Sequence, residues 1–132
     1  MKQIGVKTTQ HEQFVNITDL VQQAVSASGV KGGMCFINCA HTTAGLTINE
    51  NADPDVVHDI ILALDTLVPG LRGFRHVEGN STAHIKSSLM GQSLAVPVHN
   101  GMLQLGTWQA VYFCEFDGPR DRHVWVRCIA GE

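Results

Sequence analysis

A β-hairpin is encoded at Asn100-Gly101, which lies between two short apolar runs, residues 93–98 and 102–105. Asparagine and glycine both accept the positive φ angles of a tight hairpin turn, and this pair is the strongest short-range signal for such a turn. We therefore expect two antiparallel strands that meet at this dipeptide. A chain that contains such a hairpin needs a sheet to complete it.

Two further pairs of apolar runs predict antiparallel strands. Residues 109–116 and 122–130 flank a turn at residues 117–120, and we expect them to form a second hairpin. Residues 2–9 and 13–17 predict a shorter hairpin or strand pair near the N-terminus. Most of the chain's strands are therefore expected to run antiparallel to their neighbours.

Three stretches predict short helices. Apolar residues recur with helical spacing over residues 18–28, which begin with a threonine and end before a glycine. Asp53 and Pro54 begin the second helix, since aspartate caps a helix N-terminus and proline suits its first position. A third short helix is expected between Asn80 and Gly91. The sequence thus predicts helices packed on mainly antiparallel sheet, which is an α+β fold.

Composition and charge narrow the classes of partner. The net charge of −3 and the absence of a basic run argue against nucleic acid, because phosphate contacts need clustered Lys and Arg. No apolar run approaches the roughly 20 residues of a membrane helix, and the N-terminus lacks a signal-peptide core. We therefore expect one cytosolic domain over residues 1–132 that binds a small molecule and no membrane.

Four cysteines are present, and none forms a Cys-x-x-Cys pair. They lie in stretches that resemble buried strands, so we expect reduced core cysteines of which none is essential. Cys39 is the exception to consider, because it lies two residues before His41 and has the alternative role of ligand or nucleophile. The others are Cys35, Cys114 and Cys128.

The stretch CAHTTAGLTINENADPD, residues 39–55, concentrates polar side chains between a strand expected over residues 34–40 and the second helix. His41 lies at the end of that strand, where a rigid sheet can hold a ligand-binding side chain. The helix N-terminus attracts anions, but Asp53 already caps it. The alternative is that these side chains only satisfy turn and cap hydrogen bonds. The candidates are His41, Thr42, Thr43, Asn49, Glu50, Asn51 and Asp53.

Two more histidines, His76 and His84, lie on either side of a glycine-containing turn in RHVEGNSTAHIKSSLMG. This spacing is no metal signature by itself, since short-range ligand pairs are usually about two to five residues apart, and a structural pair is the alternative. With His41, however, they make three imidazoles, and three imidazoles with an open fourth position form a zinc site that can activate water or polarise a substrate. The other four histidines are expected to be exposed: His11, His58, His99 and His123.

Glu115 shares a strand face with Val111 and Phe113 by period two, so its carboxylate projects beside hydrophobic neighbours. A carboxylate in that setting needs a cationic partner, and Arg120 and Arg122 are the two candidates. One interpretation is a structural Glu–Arg pair under the turn. The other makes Glu115 a general base, or an acceptor that orients a metal-bound histidine.

Three separated motifs, HTTAGLTINENADPDV, RHVEGNSTAHIKSSLMG and LGTWQAVYFCEFDGPR, closely resemble those of the YjbQ family over nearly the whole chain. Proteins of this family are also labelled secondary thiamine-phosphate synthase. The resemblance implies an α+β fold with mainly antiparallel, β-sandwich-like sheets and two to three short helices. It also implies a homotrimer with its polar motifs near the subunit interfaces.

The family's motifs fall on residues of this chain in the same order. Its histidine motifs correspond to His41, His76 and His84, and its acidic and amide residues correspond to Asn49, Glu50 and Asp53. The remaining motif residues correspond to Trp108, Gln109, Glu115, Asp117 and Arg120.

Thiamine-phosphate synthesis, the reaction in the family's label, needs metal chemistry that three histidines only partly suit. Joining a pyrimidine diphosphate to a thiazole phosphate releases pyrophosphate, which calls for Mg²⁺ on carboxylates, whereas three histidines suit zinc better. We therefore expect a divalent metal, with zinc favoured and magnesium the alternative for a phosphoryl substrate. Thiamine-phosphate synthesis is interpreted as a side activity.

Two hypotheses for the function follow. The first is a trimeric metal-dependent enzyme that acts on a small phosphorylated or heterocyclic metabolite. The second is a non-enzymatic trimeric protein that binds a metal or a metabolite. In the first, the expected metal ligands are His41, His76 and His84, and the expected catalytic residues are Glu50, Asp53, Glu115 and Arg120. The expected substrate-binding residues are Thr42, Thr43, Asn49, Asn80, Lys86, Trp108, Gln109 and Asp117.

Overall fold

In the computed structural model, which describes residues 1–131, the chain forms eight strands and three helices. The N-terminal half contains β1 (Lys2–Lys7), β2 (Gln13–Asn16), α1 (Thr18–Ser28), β3 (Gly32–Cys39), β4 (Ala44–Glu50) and α2 (Pro54–Leu67). The C-terminal half contains α3 (Ser81–Met90), β5 (Ser93–His99), β6 (Met102–Leu103), β7 (Gln109–Glu115) and β8 (Asp121–Ala130).

The strands form two antiparallel sheets. One sheet has five strands in the order β1-β8-β3-β5-β6, and the other has three in the order β2-β7-β4. Every pairing is antiparallel. The predicted α+β fold with sandwich-like sheets and three helices is therefore confirmed. None of these helices combines the length and apolar character that crossing a membrane requires, within residues 1–131.

The expected hairpin at Asn100-Gly101 is confirmed. Asn100 has a φ of 52° and Gly101 a φ of 76°, the positive values that a tight turn of this kind requires. The turn joins β5 to β6, with Val98 opposite Leu103 and His99 opposite Met102.

The two other predicted hairpins are wrong. β7 and β8 are consecutive in the chain but belong to different sheets, and the same is true of β1 and β2. β7 is buried on both faces, so it lies in the middle of the three-stranded sheet, between β2 and β4. Alternation within a strand identifies its buried faces, but it does not identify the neighbouring strand.

The sequence pattern does not predict β4, because residues 44–50 resemble a polar connection. Ala44, Leu46 and Ile48 alternate along this strand and face the core between the sheets. Gly45 and Asn49, on the other face of the strand, resemble turn residues in the sequence and conceal the strand period. The polar stretch of residues 39–55 therefore contains a complete strand.

Two hydrophobic cores lie on opposite faces of the three-stranded sheet. The larger core fills the space between the sheets and under α1, and it contains Ile37, Leu46 and Phe113. The smaller core packs α2 and α3 against the other face, where Leu64 and Tyr112 meet. The predicted alternation of residues along β7 is confirmed, since odd and even positions contribute to different cores.

The helix boundaries follow the sequence signals closely. α1 ends at Gly29, whose φ of 74° gives the left-handed C-cap expected of glycine. α2 is capped by Asp53, whose carboxylate accepts a hydrogen bond of 2.9 Å from the Asp55 amide, and Pro54 takes the first helical position. α3 begins at Ser81, as expected from the sequence.

Close contact between α3 and β4 depends on Gly45. A Cβ atom at this position would lie 2.8 Å from the Gly91 carbonyl oxygen and 2.9 Å from the Met90 Cβ. The Ser87 hydroxyl donates a 2.6 Å hydrogen bond to the Ala44 carbonyl beside it. This contact fixes α3, and with it His84, against the sheet.

Replacing Gly45 with alanine is therefore expected to lower the free energy of unfolding by about 1–3 kcal/mol, because overpacking must displace α3 from β4. Gly5→Ala is the matched control, since it lies in a strand and its Cβ would meet nothing within 4 Å. Chemical denaturation of both variants measures the difference. Equal midpoints for Gly45→Ala and Gly5→Ala would contradict this account of α3.

Candidate functional site

A polar pocket of about 370 Å³ lies where β3 ends, β8 begins and α3 starts. The turn that follows β7 and the segment before α3 also line it, side by side. The residues that line it are Ala40, His41, Thr42, Thr43, His76, Glu78, Asn80, His84, Asp117, Arg120 and Arg122. The three histidines singled out in the sequence therefore share one pocket.

Glu115 lies beneath this pocket and is 0 % exposed. Its Oε1 accepts hydrogen bonds of 2.8 Å from the Thr8 hydroxyl and from Arg122 Nε. Its Oε2 accepts one from Arg122 Nη2 and one of 3.0 Å from the Asp117 amide. Burial by itself raises the pKa of this carboxyl, but these hydrogen bonds and the arginine charge outweigh burial and hold the pKa below its ordinary value.

The partner of Glu115 is Arg122, and the structural pair is the interpretation that this geometry favours. Arg122 is buried and also donates a 2.8 Å hydrogen bond from Nη2 to the Thr43 hydroxyl. This pair links β7, β8 and the segment that carries His41. The other candidate, Arg120, instead donates to the Asp117 carbonyl at 2.8 Å and carboxylate at 3.0 Å, with half of its side chain exposed.

Asn80 has one satisfied and one unsatisfied end. Its Nδ2 donates a 2.9 Å hydrogen bond to the Asp117 carboxylate. Burial raises the pKa of Asp117, but the hydrogen bonds from Asn80 and Arg120 outweigh it, and the pKa lies below its usual value. Asn80 Oδ1 is buried, and no hydrogen-bond donor within residues 1–131 reaches it. An acceptor of this kind is uncommon, because buried polar atoms almost always have a partner.

His41 is held as a neutral imidazole. Its Nε2 accepts a 3.1 Å hydrogen bond from the His123 backbone amide, so the proton of the neutral ring lies on Nδ1. Burial lowers the pKa of His41, and the nearby Arg122 and His123 lower it further. At neutral pH, His41 therefore offers one N–H donor from Nδ1.

His76 and His84 contact each other edge to face. Their ring centres are 5.2 Å apart and their planes are inclined at 87°. Two imidazoles that bind one tetrahedral ion through bonds of about 2.0–2.1 Å place their ring centres roughly 5 Å apart. The spacing of this pair is therefore compatible with two ligands of a shared metal ion.

The complete three-histidine set fits a metal less well. No group of three His, Cys, Asp or Glu side chains is arranged to hold a metal ion in the part of the chain that the structure describes. His41 would have to release the His123 amide before its Nε2 lone pair could bind a metal. The predicted site at His41, His76 and His84 is thus not formed as the side chains stand, and it stays a prediction.

Five of the predicted site residues lie far from this pocket. β4 is seven residues long, and Ala44 is opposite Glu115 at one end while Glu50 is opposite Gln109 at the other. Six steps of about 3.3 Å place the two ends roughly 20 Å apart. The group at the far end consists of Asn49, Glu50, Asp53, Trp108 and Gln109. Within one chain, these residues cannot act together with the pocket.

Lys86 does not line the pocket either. Its side chain is almost fully buried, and its ammonium group contacts Asp65 and, at 2.7 Å, Glu12. Burial lowers the pKa of Lys86, but these two carboxylates outweigh that effect and raise it. The position predicted to bind substrate thus links α3 to α2 and to the segment before β2.

One histidine was misjudged from the sequence. His123 was expected to be exposed, but it is half-buried and its ring centre lies 4.7 Å from that of His41. His11, His58 and His99 are exposed, as predicted. The alternation of β8, which places Arg122 and Val124 in the core, leaves His123 on the other face.

An apolar cavity of about 410 Å³ adjoins the polar pocket. It is lined by Phe74, Ser81 and Ile85 together with His76 and His84, which both cavities share. Phe74 and Ile85 are partly exposed in it, 36 % and 38 % respectively. The two histidines therefore stand between a polar and an apolar compartment.

Comparison with known proteins places the chain in a family. The sequence model described as "UPF0047 protein YjbQ-like" matches residues 2–131. The UPF0047 protein YugU of Bacillus subtilis is 48 % identical and covers 98 % of both chains, and a UPF0047 protein of Methanocaldococcus jannaschii is 52 % identical over 94 % of this chain and 90 % of its own.

Solved structures agree with this assignment. The crystal structure of an uncharacterized YjbQ/UPF0047 protein from Clostridium acetobutylicum superposes with a TM-score of 0.94 at 56 % identity, and covers 98 % of this chain and 100 % of its own. A conserved hypothetical protein from Thermus thermophilus gives a TM-score of 0.91 at 45 % identity, over 98 % and 100 % of the two chains. The chain belongs to the YjbQ/UPF0047 family.

Proposed function

We propose that this chain is an enzyme whose active site is the histidine pocket, and that its substrate is a small phosphorylated or heterocyclic metabolite. One observation carries the proposal. Three imidazoles and a buried amide oxygen that no donor within residues 1–131 reaches line a single pocket of about 370 Å³, a volume suited to a small metabolite. Titratable groups gathered around a cavity are the usual sign of an active site.

Hydrogen bonding defines the polar part of the substrate. Asn80 Oδ1 needs an N–H or O–H donor, and a ligand that enters the pocket can supply one. His41 Nδ1 donates toward an acceptor, as the tautomer fixed by the His123 amide requires. Arg120, half exposed at the rim, provides a cation for a phosphoryl group. A substrate with both a donor group and an anionic group satisfies all three residues.

The adjoining cavity defines the apolar part. Phe74 and Ile85 offer an apolar surface on the far side of His76 and His84. A ring placed there would lie beside both histidines while its polar substituents reach Asn80. This arrangement supports a heterocyclic substrate over a purely aliphatic polar one.

His76 and His84 are the proposed acid–base residues. Histidine is the side chain most often used for proton transfer in enzymes, and both rings border both cavities. Glu78 Oε1 lies 3.9 Å from His76 Nε2, too far for a hydrogen bond but close enough to stabilise the protonated ring. In this account, Glu115 positions Arg122 and Thr43 and does not contact the substrate.

A metal-dependent version of this function is the second candidate. The ring spacing of His76 and His84 favours it, and zinc is the metal that imidazole ligands suit. When bound, zinc would supply Lewis-acid chemistry beside these two rings. Elemental analysis of the purified protein tests this candidate. Zinc at one equivalent in the wild type and its loss in His76→Ala would support it, and a metal-free active enzyme would exclude it.

Turnover separates an enzyme from a protein that only binds a metal or a metabolite. The test is incubation of the purified chain with a defined mixture of phosphorylated and heterocyclic metabolites, which includes the pyrimidine diphosphate and thiazole phosphate that form thiamine phosphate. Products that accumulate beyond one per chain support the enzyme. Stoichiometric binding without product would support the non-enzymatic alternative. Thiamine phosphate formed more slowly than another product would support the proposal that its synthesis is a side activity.

We further propose that the chain works as a cytoplasmic homotrimer. The family resemblance supports this assembly, and apolar side chains remain on the surface, with Trp108 63 %, Ile129 52 % and Phe36 42 % exposed. In a closed ring of three subunits, the end of β4 that carries Glu50 can approach the pocket of the neighbouring subunit. Glu50 and Gln109 would then reach that pocket across the subunit interface.

Light scattering at micromolar concentration is expected to return three times the chain mass of 14.3 kDa. Substituting Phe36 and Ile129 with serine is expected to shift the assembly toward smaller species. A monomer mass for the wild-type protein would contradict the trimer.

A further inference from the structure

Cys35 and Cys128 lie directly opposite each other on the central strands β3 and β8 of the five-stranded sheet. The Gly131 amide donates a 3.0 Å hydrogen bond to the Gly32 carbonyl, which identifies that opposed pair as hydrogen-bonded. Pairs alternate along an antiparallel ladder, and Cys35 is three positions from Gly32. The two cysteines therefore occupy a non-hydrogen-bonded pair, where facing side chains approach most closely.

The separation of such a pair suits a disulfide. The Cα atoms of a non-hydrogen-bonded pair are about 4.5 Å apart, and disulfides span Cα separations of about 4.4–6.8 Å. The neighbouring Cys128 thiol raises the pKa of the Cys35 thiol, as two adjacent thiols do. Both lie on the side of the sheet that faces the core, so their side chains point the same way. The backbone register therefore permits a covalent bond between the two sulfur atoms.

Solvent and small molecules can reach Cys128 but not Cys35. Cys35 is 0 % exposed, whereas Cys128 is half-buried and lines a groove between α1 and β8 of about 650 Å³, next to Ala27 and Ser28. Burial and the neighbouring Cys128 raise the pKa of the Cys35 thiol to about 12. A reagent therefore meets Cys128 first, and the attack by Cys35 is the second and slower step, because few Cys35 thiols are ionised at neutral pH. Cys39 and Cys114 are both fully buried and belong to different sheets.

We propose that Cys35 and Cys128 form a reversible oxidation site that a small-molecule disulfide converts into an intrachain disulfide. The Cys128 thiolate attacks one sulfur of the reagent, forms a mixed disulfide and releases one molecule of reagent thiol. The Cys35 thiolate then attacks the Cys128 sulfur and releases the second molecule of thiol. The protein loses two electrons and two protons, and the reagent gains both. The product joins β3 to β8 covalently.

This proposal does not depend on the histidine pocket, and oxidised glutathione tests it on the folded wild-type chain. After incubation and digestion, we expect a peptide pair joined through Cys35 and Cys128, with two of the four thiols lost. Cys128→Ala should react with no glutathione, whereas Cys35→Ala should keep one glutathione on Cys128. Cys39→Ser and Cys114→Ser are the matched controls and should still form the linked pair.

The wild-type result decides the question even if a variant fails to fold. A linked Cys35–Cys128 peptide that forms under native conditions and is reversed by dithiothreitol supports the proposal. A wild-type protein that stops at the mixed disulfide would overturn it, because Cys35 would then not resolve the adduct. A protein that reacts only after denaturation would also overturn it, because the groove would then not admit the reagent.

Discussion

Replacing Glu115 with alanine is expected to lower the free energy of unfolding by about 3–5 kcal/mol, because it leaves the buried Arg122 charge without its partner. A change of this size lowers the thermal midpoint by roughly 10 °C or more in a domain of this length. The carboxylate accepts four hydrogen bonds, and two of them come from Arg122. Glu115 and Arg122 are both buried, so water cannot solvate the charge that substitution of either one leaves behind.

The stability difference between the wild type and Glu115→Ala should decrease as the pH falls. The pKa of Glu115 in the folded chain lies below its ordinary value of 4.5, so its contribution is fully present above that value. It is lost as the pH falls through the folded pKa. The wild type and Glu115→Ala should therefore differ most near neutral pH and converge in acid.

Two control variants separate the buried pair from an exposed one. Arg120→Ala removes a half-exposed pair with Asp117 and is expected to cost only about 0–1 kcal/mol. The double variant Glu115→Met with Arg122→Met removes both buried charges and should recover much of the stability lost in Glu115→Ala. If Glu115→Ala unfolds at the same denaturant concentration as the wild type, the pair has no structural role.

Replacing His84 with alanine is expected to reduce turnover of the pocket's substrate by about 100-fold or more, the usual contribution of one acid–base residue. His84 borders both cavities and contacts His76, so its removal affects substrate binding and proton transfer together. It is only half-buried, so the variant should fold. Steady-state kinetics with the product-forming mixture provide the measurement.

The matched control is His58→Ala. His58 lies exposed on α2, contacts only the neighbouring Asp59 in its side-chain hydrogen bond and does not line the pocket. This variant should retain wild-type turnover. Equal turnover in His84→Ala and the wild type, with the fold intact by circular dichroism, would remove His84 from the proposed mechanism.

Local signals in the sequence predicted most of the elements of the fold. Caps at Asp53 and Gly29 and the turn at Asn100-Gly101 act over a few residues, so the sequence reports them directly. Pairing between β7 and β8 was predicted wrongly, because which strand lies beside β7 depends on contacts across the whole chain. β4 was missed because its polar alternate positions resemble a loop.

Local signals also predicted part of the candidate site, namely its three histidines. His41, His76 and His84 each end or flank an element, and the prediction that they share one region agrees with the pocket that all three line. Which arginine pairs with Glu115 depends on how the chain passes from β7 in one sheet to β8 in the other. No local pattern in the sequence shows this, so Arg122 could not be preferred over Arg120. Lys86 was predicted to bind substrate because of its neighbours in sequence, whereas its contacts come from α2 and the N-terminal segment.

Native mass spectrometry with identification of the bound small molecule tests most directly whether this pocket binds a metabolite. The wild-type protein and Asn80→Leu are incubated with the same defined metabolite mixture, and Asn16→Leu, which alters an exposed asparagine outside the pocket, serves as control. The wild type and Asn16→Leu should each carry one phosphorylated or heterocyclic ligand per chain. Asn80→Leu, whose fold is checked by circular dichroism, lacks the amide oxygen and should carry none. The same ligand bound equally by Asn80→Leu would contradict the assignment of this pocket as the functional site.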